Sequence, residues 1–260
     1  MRPQFVQALR AVLFNVCFYL NTAVHMIVCL PVFFLPRWVL WRAVASWVAV
    51  NRWFLRMICD IDFEIRGIER IPPGPLIVAA KHQSAWETYS ILGLFIDPVY
   101  VLKRELMWLP VFGWYCLKAR MIPVRRGARS AALAEMTERA KQEIARNRQI
   151  IIFPEGTRRP PGAEPNYKYG VAHLYGALGV PCLPIALNSG LYWPRRSWQM
   201  RPGKIRVEIL EPIQPGLHPD AFLVVLQNQL EPATARLISE GESEIAARER
   251  RIAFRRTPSP

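Results

Sequence analysis

The chain has 260 residues, with 34 Lys and Arg against 20 Asp and Glu, a formal net charge of +14 and a pI near 10.1. That length suits one domain with a sizeable core plus an appendage. Basicity on this scale points to anionic lipid, phosphorylated substrates or nucleic acid. Nucleic acid is the weakest of the three, because no zinc-finger, helix-turn-helix or RNA-binding signature accompanies the charge.

Hydrophobic residues make up 52% of the chain, and the excess is concentrated at the N-terminus. From Ala11 to Pro36 there is no Asp, Glu, Lys or Arg, a run long enough to cross a bilayer. A secretory signal is the weaker reading, since the run is too long and no small-residue cleavage site follows it. The next segment carries Trp38, Trp41, Trp47 and Trp53 together with Arg37, Arg42, Arg52 and Arg56. Wound as a helix, those arginines fall within an arc of about 140°, the pattern of a helix at a membrane surface with tryptophans at headgroup level. Arg2 and Arg10 stand ahead of the apolar run. With both ends on one side, "CLPVFFLPR" becomes the turn of a helical hairpin. The alternative is a hairpin buried in the core. The five cysteines, Cys17, Cys29, Cys59, Cys116 and Cys182, are odd in number, scattered and form no CxxC pair. They read as reduced, buried small hydrophobes in a protein whose folded part faces the cytoplasm.

Beyond the hairpin, "DFEIRG" alternates at period two and suggests an edge or half-buried strand. "PLIVAA", "PVYVLK", "MIPVRR", "QIIIFP", "PCLPIAL" and "KIRVEIL" read as further strands, several continuous enough to be buried on both faces. Between them "ELMWLPVFGWYCLKA", "SAALAEMTERAKQEIARN" and "YKYGVAHLYGALG" read as helices, the last stopped by Gly179. The second repeats Leu133, Met136, Ala140 and Ile144 at helical spacing. A final helix is expected from about Pro219 to Arg248. Alternating strands and helices argue an α/β fold with a largely parallel central sheet flanked by helices. The chain then divides into a membrane-associated hairpin over 1–59, an α/β domain over 60–250 and a disordered tail over 251–260.

Chemistry concentrates in three places. In "KHQSAWETYS", His82 follows a strand, Ser84 suits the N-cap of the next helix, and Glu87 completes a Ser-x-x-Glu capping box. Inside a regular helix His82 and Glu87 would diverge by about 140°. They meet only if His82 lies in the turn and folds back. There the carboxylate would fix one ring nitrogen and leave the other free as a base. The segment alone leaves helix cap and catalytic base as alternatives. In "IIIFPEGTRR" a buried strand ends at Pro154-Glu155-Gly156-Thr157-Arg158, where α/β sheets hold ligands. Arg158 offers bidentate donors to a phosphate, and Glu155 would position it or bind a hydroxyl. The plain alternative is a solvated turn. A third strand ends in Arg125 and Arg126. His25, His82, His173 and His218 lack metal-ligand spacing, so no metal is expected.

His-x4-Glu, Ile-Pro-Val-Arg, Phe-Pro-Glu-Gly-Thr-Arg and "GVPCLPIAL", in that order and approximate spacing, resemble the four motifs of the glycerolipid acyltransferases. The nearest likeness is to the bacterial 1-acyl-sn-glycerol-3-phosphate acyltransferases. The resemblance covers roughly residues 62–211, and the hairpin is similar to that family's two-helix membrane element. It implies His82 as general base with Glu87 as its acidic partner, and Arg125, Glu155, Gly156, Thr157, Arg158 and Lys168 as the substrate-binding set. Pro184 would lie on the acyl-donor side. The family usually has Asp where this chain has Glu87, and Gly where it has Ala119.

What the resemblance implies is acyl transfer from an acyl-carrier protein or coenzyme A thioester to the sn-2 hydroxyl of a lysophosphatidic acid. No cofactor and no covalent enzyme intermediate would be needed, and backbone amides at the start of the Ser84 helix would face the oxyanion. The implied partners are membrane lipids, lysophosphatidic acid and the donor carrier, with no nucleic acid. The implied place is the cytoplasmic face of a bacterial inner membrane. Rival readings are acylation of another lysolipid such as a lyso-ornithine lipid or lysophosphatidylglycerol, hydrolysis of a lipid or thioester, and a silent membrane-surface binder.

Overall fold

A computed structural model describes residues 3–125, 129–195 and 199–254. Arg2, Arg126 and the tail from 255 lie outside the described residues. Helices α1 (Pro3–Val28) and α2 (Arg37–Cys59) form the expected hairpin, joined by a 3-10 turn at Leu30–Phe34. Arg10, expected ahead of the first helix, lies inside it. Then follow β1 (Ile61–Arg66), β2 (Leu76–Ala80), α3 (Trp86–Ser90), β3 (Pro98–Lys103), α4 (Phe112–Lys118), β4 (Ile122–Val124) and α5 (Arg129–Ile144). The chain continues through β5 (Gln149–Ile152), α6 (Tyr169–Leu178), β6 (Cys182–Leu187), α7 (Ser189–Tyr192), β7 (Gly203–Ile209) and α8 (Pro219–Phe254).

The strands make one sheet in the order β1-β7-β6-β2-β5-β3-β4, parallel throughout except where β7 runs against β6. Every residue of β2 and β6 is buried, as their unbroken apolar runs require of strands covered on both faces. "DFEIRG" is indeed an edge strand. One layer of core packs the sheet against the hairpin and α3, through Phe14, Leu55, Trp86 and Leu183 among others. The other packs it against α5, α6 and α8 through Met136, Leu174, Phe222 and Leu230. Gly179 takes φ +62° as the C-cap of α6, as expected. The last helix is longer than expected and runs through 251–254, assigned above to a disordered tail.

Two differences from the sequence reading have plain causes. The first is in "ELMWLPVFGWYCLKA", which is not one helix. A 3-10 turn over Arg104–Trp108 stops before Pro110, and α4 starts afresh at Phe112. Pro110 has no amide to continue a helix, and Val111 turns the corner at φ 62°, ψ −51°, with the Phe112 amide donating to the Pro110 carbonyl. A β-branched residue at positive φ is strained by about 1–3 kcal/mol, whereas glycine there costs only about 0.5–1 kcal/mol of extra chain entropy. Val111→Gly is therefore expected to stabilise by about 1 kcal/mol and to raise the melting temperature by about 2–4 °C. A thermal melt in detergent checks this, and a lower midpoint would refute the strain.

The second difference concerns α2, whose arginine arc was read as the polar face of a helix at a membrane surface. Arg37 Nη2 instead bonds Asp97 at 2.6 Å, Arg52 Nη2 donates to the Ser90 carbonyl at 2.8 Å, and Arg56 lies 3.8 Å from Asp62. Three of the four arginines are thus turned to the α/β domain, whose carboxylates and carbonyls offer fixed acceptors. Trp41 and Trp47 turn inward as well, donating to Asp97 and Thr22. Trp38 and Trp53 stay exposed, as does an apolar face of α1 that includes Leu9, Val16, Leu20 and Ile27.

Candidate active site

β2 and β5 lie side by side and parallel, with Ala79 against Ile152. The chain leaving each strand therefore arrives at the same edge of the sheet, where α/β folds place ligands. From β2 comes Lys81-His82, and from β5 comes Phe153-Pro154-Glu155-Gly156-Thr157. The His82 ring stacks on Phe153 with centroids 3.9 Å apart and planes 13° off parallel. Behind it, the Arg159 amide donates to the His82 carbonyl at 2.8 Å, tying the two segments together. Gly156 turns at φ +64°, a conformation that favours glycine.

His82 does fold back, the condition for it to meet Glu87. Its Nδ1 is 2.9 Å from Glu87 Oε1, with Glu87 wholly buried. The same oxygen accepts the amides of Gln83 at 2.7 Å and Ser84 at 2.6 Å, and Oε2 accepts the Ser189 hydroxyl at 2.7 Å. Four donors thus fix one carboxylate. With Nδ1–H donating to that carboxylate, Nε2 carries the free lone pair whenever the ring is neutral. Cap and orienter are the same group: Glu87 caps the amides and steadies the ring with one oxygen.

Two expectations change here. Ser84 is not the N-cap of the next helix, a position that Ala85 holds; α3 has five residues and begins at Trp86, whose amide donates to Ser84 Oγ at 3.1 Å. The amides of Gln83, Ser84 and Trp86 are accordingly occupied and do not serve an oxyanion. Sequence reasoning also missed Ser189, which stands 102 positions from Glu87 at the start of α7 and reaches it only because β6 lies beside β2.

A cavity of about 980 Å³ opens above the ring. His82, Arg125, Glu155, Gly156, Thr157 and Lys168 all line it, and the hairpin and β3 supply apolar wall. Arg158 follows in the same turn without lining the cavity, and Pro184 sits in buried strand β6, paired with Ala79. Lys168 is anchored by its amide to the Pro154 carbonyl at 2.8 Å. Below the turn, buried Lys81 stands 3.2 Å from Glu155 Oε1 and 2.9 Å from Glu231 Oε1 on α8. Tyr167 donates to the same Glu231 oxygen at 2.6 Å. Burial, reinforced by Glu231, pushes the Tyr167 phenol far above its usual range, so it stays a donor. Among the described residues neither Glu155 oxygen receives a hydrogen bond, because Lys81 lies off the line of one.

Two candidate nucleophiles, Cys116 and Ser189, are poorly placed for attack. Cys116 lines the cavity, but burial pushes its thiol up to about 12, and the thiolate is the reactive form. Ser189 donates to the far oxygen of Glu87 rather than to His82. Among the described residues no three His, Cys, Asp or Glu side chains converge as metal ligands. The site is an oriented imidazole facing a roomy cavity with cations on one wall and apolar side chains on the others.

A family model described as acyltransferase matches residues 62–188. The chain is 33% identical over 252 residues to a 1-acyl-sn-glycerol-3-phosphate acyltransferase of Pseudomonas aeruginosa, covering 95% of each chain. It is 32% identical over 170 residues to the alpha form of the enzyme so named in Mus musculus, covering 64% of this chain and 60% of that one. The crystal structure of the 1-acyl-sn-glycerophosphate acyltransferase of Thermotoga maritima superposes with a TM-score of 0.66 at 25% identity, over 85% of this chain and 95% of that one.

Proposed function

Because the chain belongs to the glycerolipid acyltransferase family, we propose that it acylates the sn-2 hydroxyl of a 1-acyl-glycerol-3-phosphate from an acyl thioester, giving phosphatidic acid. One observation carries the chemistry: the oriented His82 ring opens into the same cavity as Arg125 and Lys168. His82 Nε2 takes the proton of the acceptor hydroxyl, and the oxygen attacks the thioester carbonyl carbon. The C–S bond then breaks, and the departing sulfur receives the proton from His82. Glu87 holds Nδ1–H throughout and stabilises the imidazolium between the two transfers. Arg125 and Lys168 hold the acceptor's phosphate, which fixes the hydroxyl that meets the base. Glu155 and Gly156 shape that end of the cavity, with Arg158 beside them in the turn. The reaction as written needs no cofactor beyond the thioester, whether of acyl-carrier protein or coenzyme A.

The hairpin supports a position in one leaflet. α1 leaves a long apolar face exposed, yet the turn at its far end is tied down. Lys118 Nζ donates to the carbonyls of Phe33 and Leu35, Tyr115 to that of Met26, and Arg37 pairs with Asp97. A turn bound to the α/β domain does not cross to the opposite side. The hairpin thus lies in the cytoplasmic leaflet of the inner membrane, where soluble thioesters are made and the five unpaired cysteines suit the redox poise.

Purified enzyme in detergent, given labelled thioester with and without acceptor, tests the reading. Product must appear only with acceptor, and lysophosphatidic acid must lead a panel that includes lyso-ornithine lipid and lysophosphatidylglycerol. Free fatty acid without acceptor would mean a hydrolase. Arg125→Ala is expected to raise the acceptor KM by about 10–100-fold, the size of a lost charged hydrogen bond, with the donor KM unchanged. Arg158→Ala shifts it less. An unchanged acceptor KM in Arg125→Ala would reject the phosphate assignment.

A further inference from the structure

The segment 104–118 has two faces with opposite surroundings. Inward, Leu106, Phe112, Tyr115 and Cys116 line the cavity together with Met26 and Cys29 of the hairpin. Outward, Trp108, Leu109, Trp114 and Leu117 are exposed, Trp108 by 71% and Leu117 by 63%. An apolar surface of this kind marks an interaction site.

Its neighbours say what covers it. Lys118 of α4 clamps the carbonyls of Phe33 and Leu35, and the Phe33 and Tyr115 rings lie 4.8 Å apart, so α4 abuts the hairpin turn. Asp97 pairs with Arg37 at the same turn, which brings Ile96 alongside. Phe34 and Ile96 are at least 90% exposed. The outer aromatic face thus continues directly from the hairpin's apolar surface. Exposed cations stand near it in sequence: Lys103, 3.4 Å from Glu105, and Arg120, 4.0 Å from Glu143, with Lys118 at the junction. Exposed tryptophans with lysine and arginine at the margin suit the headgroup level of an anionic membrane. The Val111 corner gives this arrangement its shape, because one continuous helix would carry the apolar residues around its whole circumference.

We propose that segment 104–118 is a second bilayer-contact surface, seated in an anionic membrane beside the hairpin and forming the cavity wall past which the acceptor enters. The proposal rests on the reading that the acceptor reaches the site from a bilayer. The observation that favours lipid over the donor's carrier protein is continuity with the hairpin and the excess of aromatic over charged surface.

The test compares wild type with the double variant Trp108→Asp, Trp114→Asp and, separately, Leu117→Glu. Each is assayed on lysophosphatidic acid embedded in phosphatidylethanolamine–phosphatidylglycerol vesicles and on the same acceptor in detergent mixed micelles. Turnover on vesicles is expected to fall about 10–50-fold in the double variant, with micellar turnover within about twofold of wild type. An equal fall in both, or in neither, overturns the proposal. So does a raised KM for acyl-carrier protein with vesicle turnover intact, which would make this face a donor dock. Failure of wild type in micelles would instead condemn the proposed reaction. A second measurement avoids disruptive charges: Trp108→Phe, Trp114→Phe keeps the surface apolar and removes two emitters. The emission lost relative to wild type must be quenched by vesicles of brominated lipid, and unquenched emission overturns the proposal as well.

Discussion

His82→Ala is expected to lower turnover by at least about 10³-fold in detergent, while the melting temperature drops by no more than about 4 °C and vesicle binding is unchanged. The two magnitudes separate chemistry from folding. A 10³-fold loss corresponds to about 4 kcal/mol of barrier. The structural cost is far smaller, because Glu87 Oε1 keeps the amides of Gln83 and Ser84 when the ring is gone. No buried acceptor is orphaned, and losing the stacked, mostly buried ring with its one hydrogen bond costs about 1 kcal/mol. Glu87 keeps its place, and the cations on the cavity wall are untouched, so the acceptor KM should hold within about threefold. Labelled-thioester turnover and a thermal melt on one preparation check both numbers. Residual activity above a tenth of wild type would remove His82 from the reaction.

Much of this site was legible because the chemistry sits in short contiguous segments. His82 and Glu87 are five apart, and "IIIFPEGTRR" places a strand, a turn glycine and charged side chains within ten residues. Strands buried on both faces announce themselves as unbroken apolar runs, so β2, β5 and β6 could be read directly. What stayed hidden depends on which strands become neighbours. Ser189 reaches Glu87, and Glu231 reaches Lys81, only after the sheet has ordered itself and α8 has folded across it. No local pattern encodes either contact. The break in "ELMWLPVFGWYCLKA" was marked by Pro110 and concealed by the apolar rhythm that resumes after it. The arginine arc of α2 was a correct periodicity with the wrong partner, since a guanidinium is satisfied equally by lipid phosphates or by protein acceptors such as Asp97 and the Ser90 carbonyl. Periodicity reports that a helix face is polar, and nothing in it reports what lies opposite.

Glu87→Gln decides between helix cap and orienting acid, the two roles that the segment "KHQSAWETYS" left open. The carboxamide has the same shape, so its oxygen can still accept from Gln83, Ser84 and His82, while Ser189 turns its hydroxyl to accept from the new amine. As a cap it therefore loses only the extra strength of bonds to a charge, about 1–2 kcal/mol or a few degrees of melting temperature. As an orienter it loses the negative charge that stabilises imidazolium between the two proton transfers, and a displaced amine can turn the ring to the wrong tautomer. That is expected to lower kcat by at least about 10²-fold, up to 10⁴-fold, with both KM values within about threefold. Glu87→Asp keeps the charge and should recover most of kcat. It is one methylene shorter and cannot hold Ser189 and the three Oε1 donors together, so about tenfold of the loss should persist. A Gln variant whose kcat stays within threefold of wild type would show that the charge on Glu87 adds nothing, and that an acceptor of the same shape suffices to cap the amides and hold the ring.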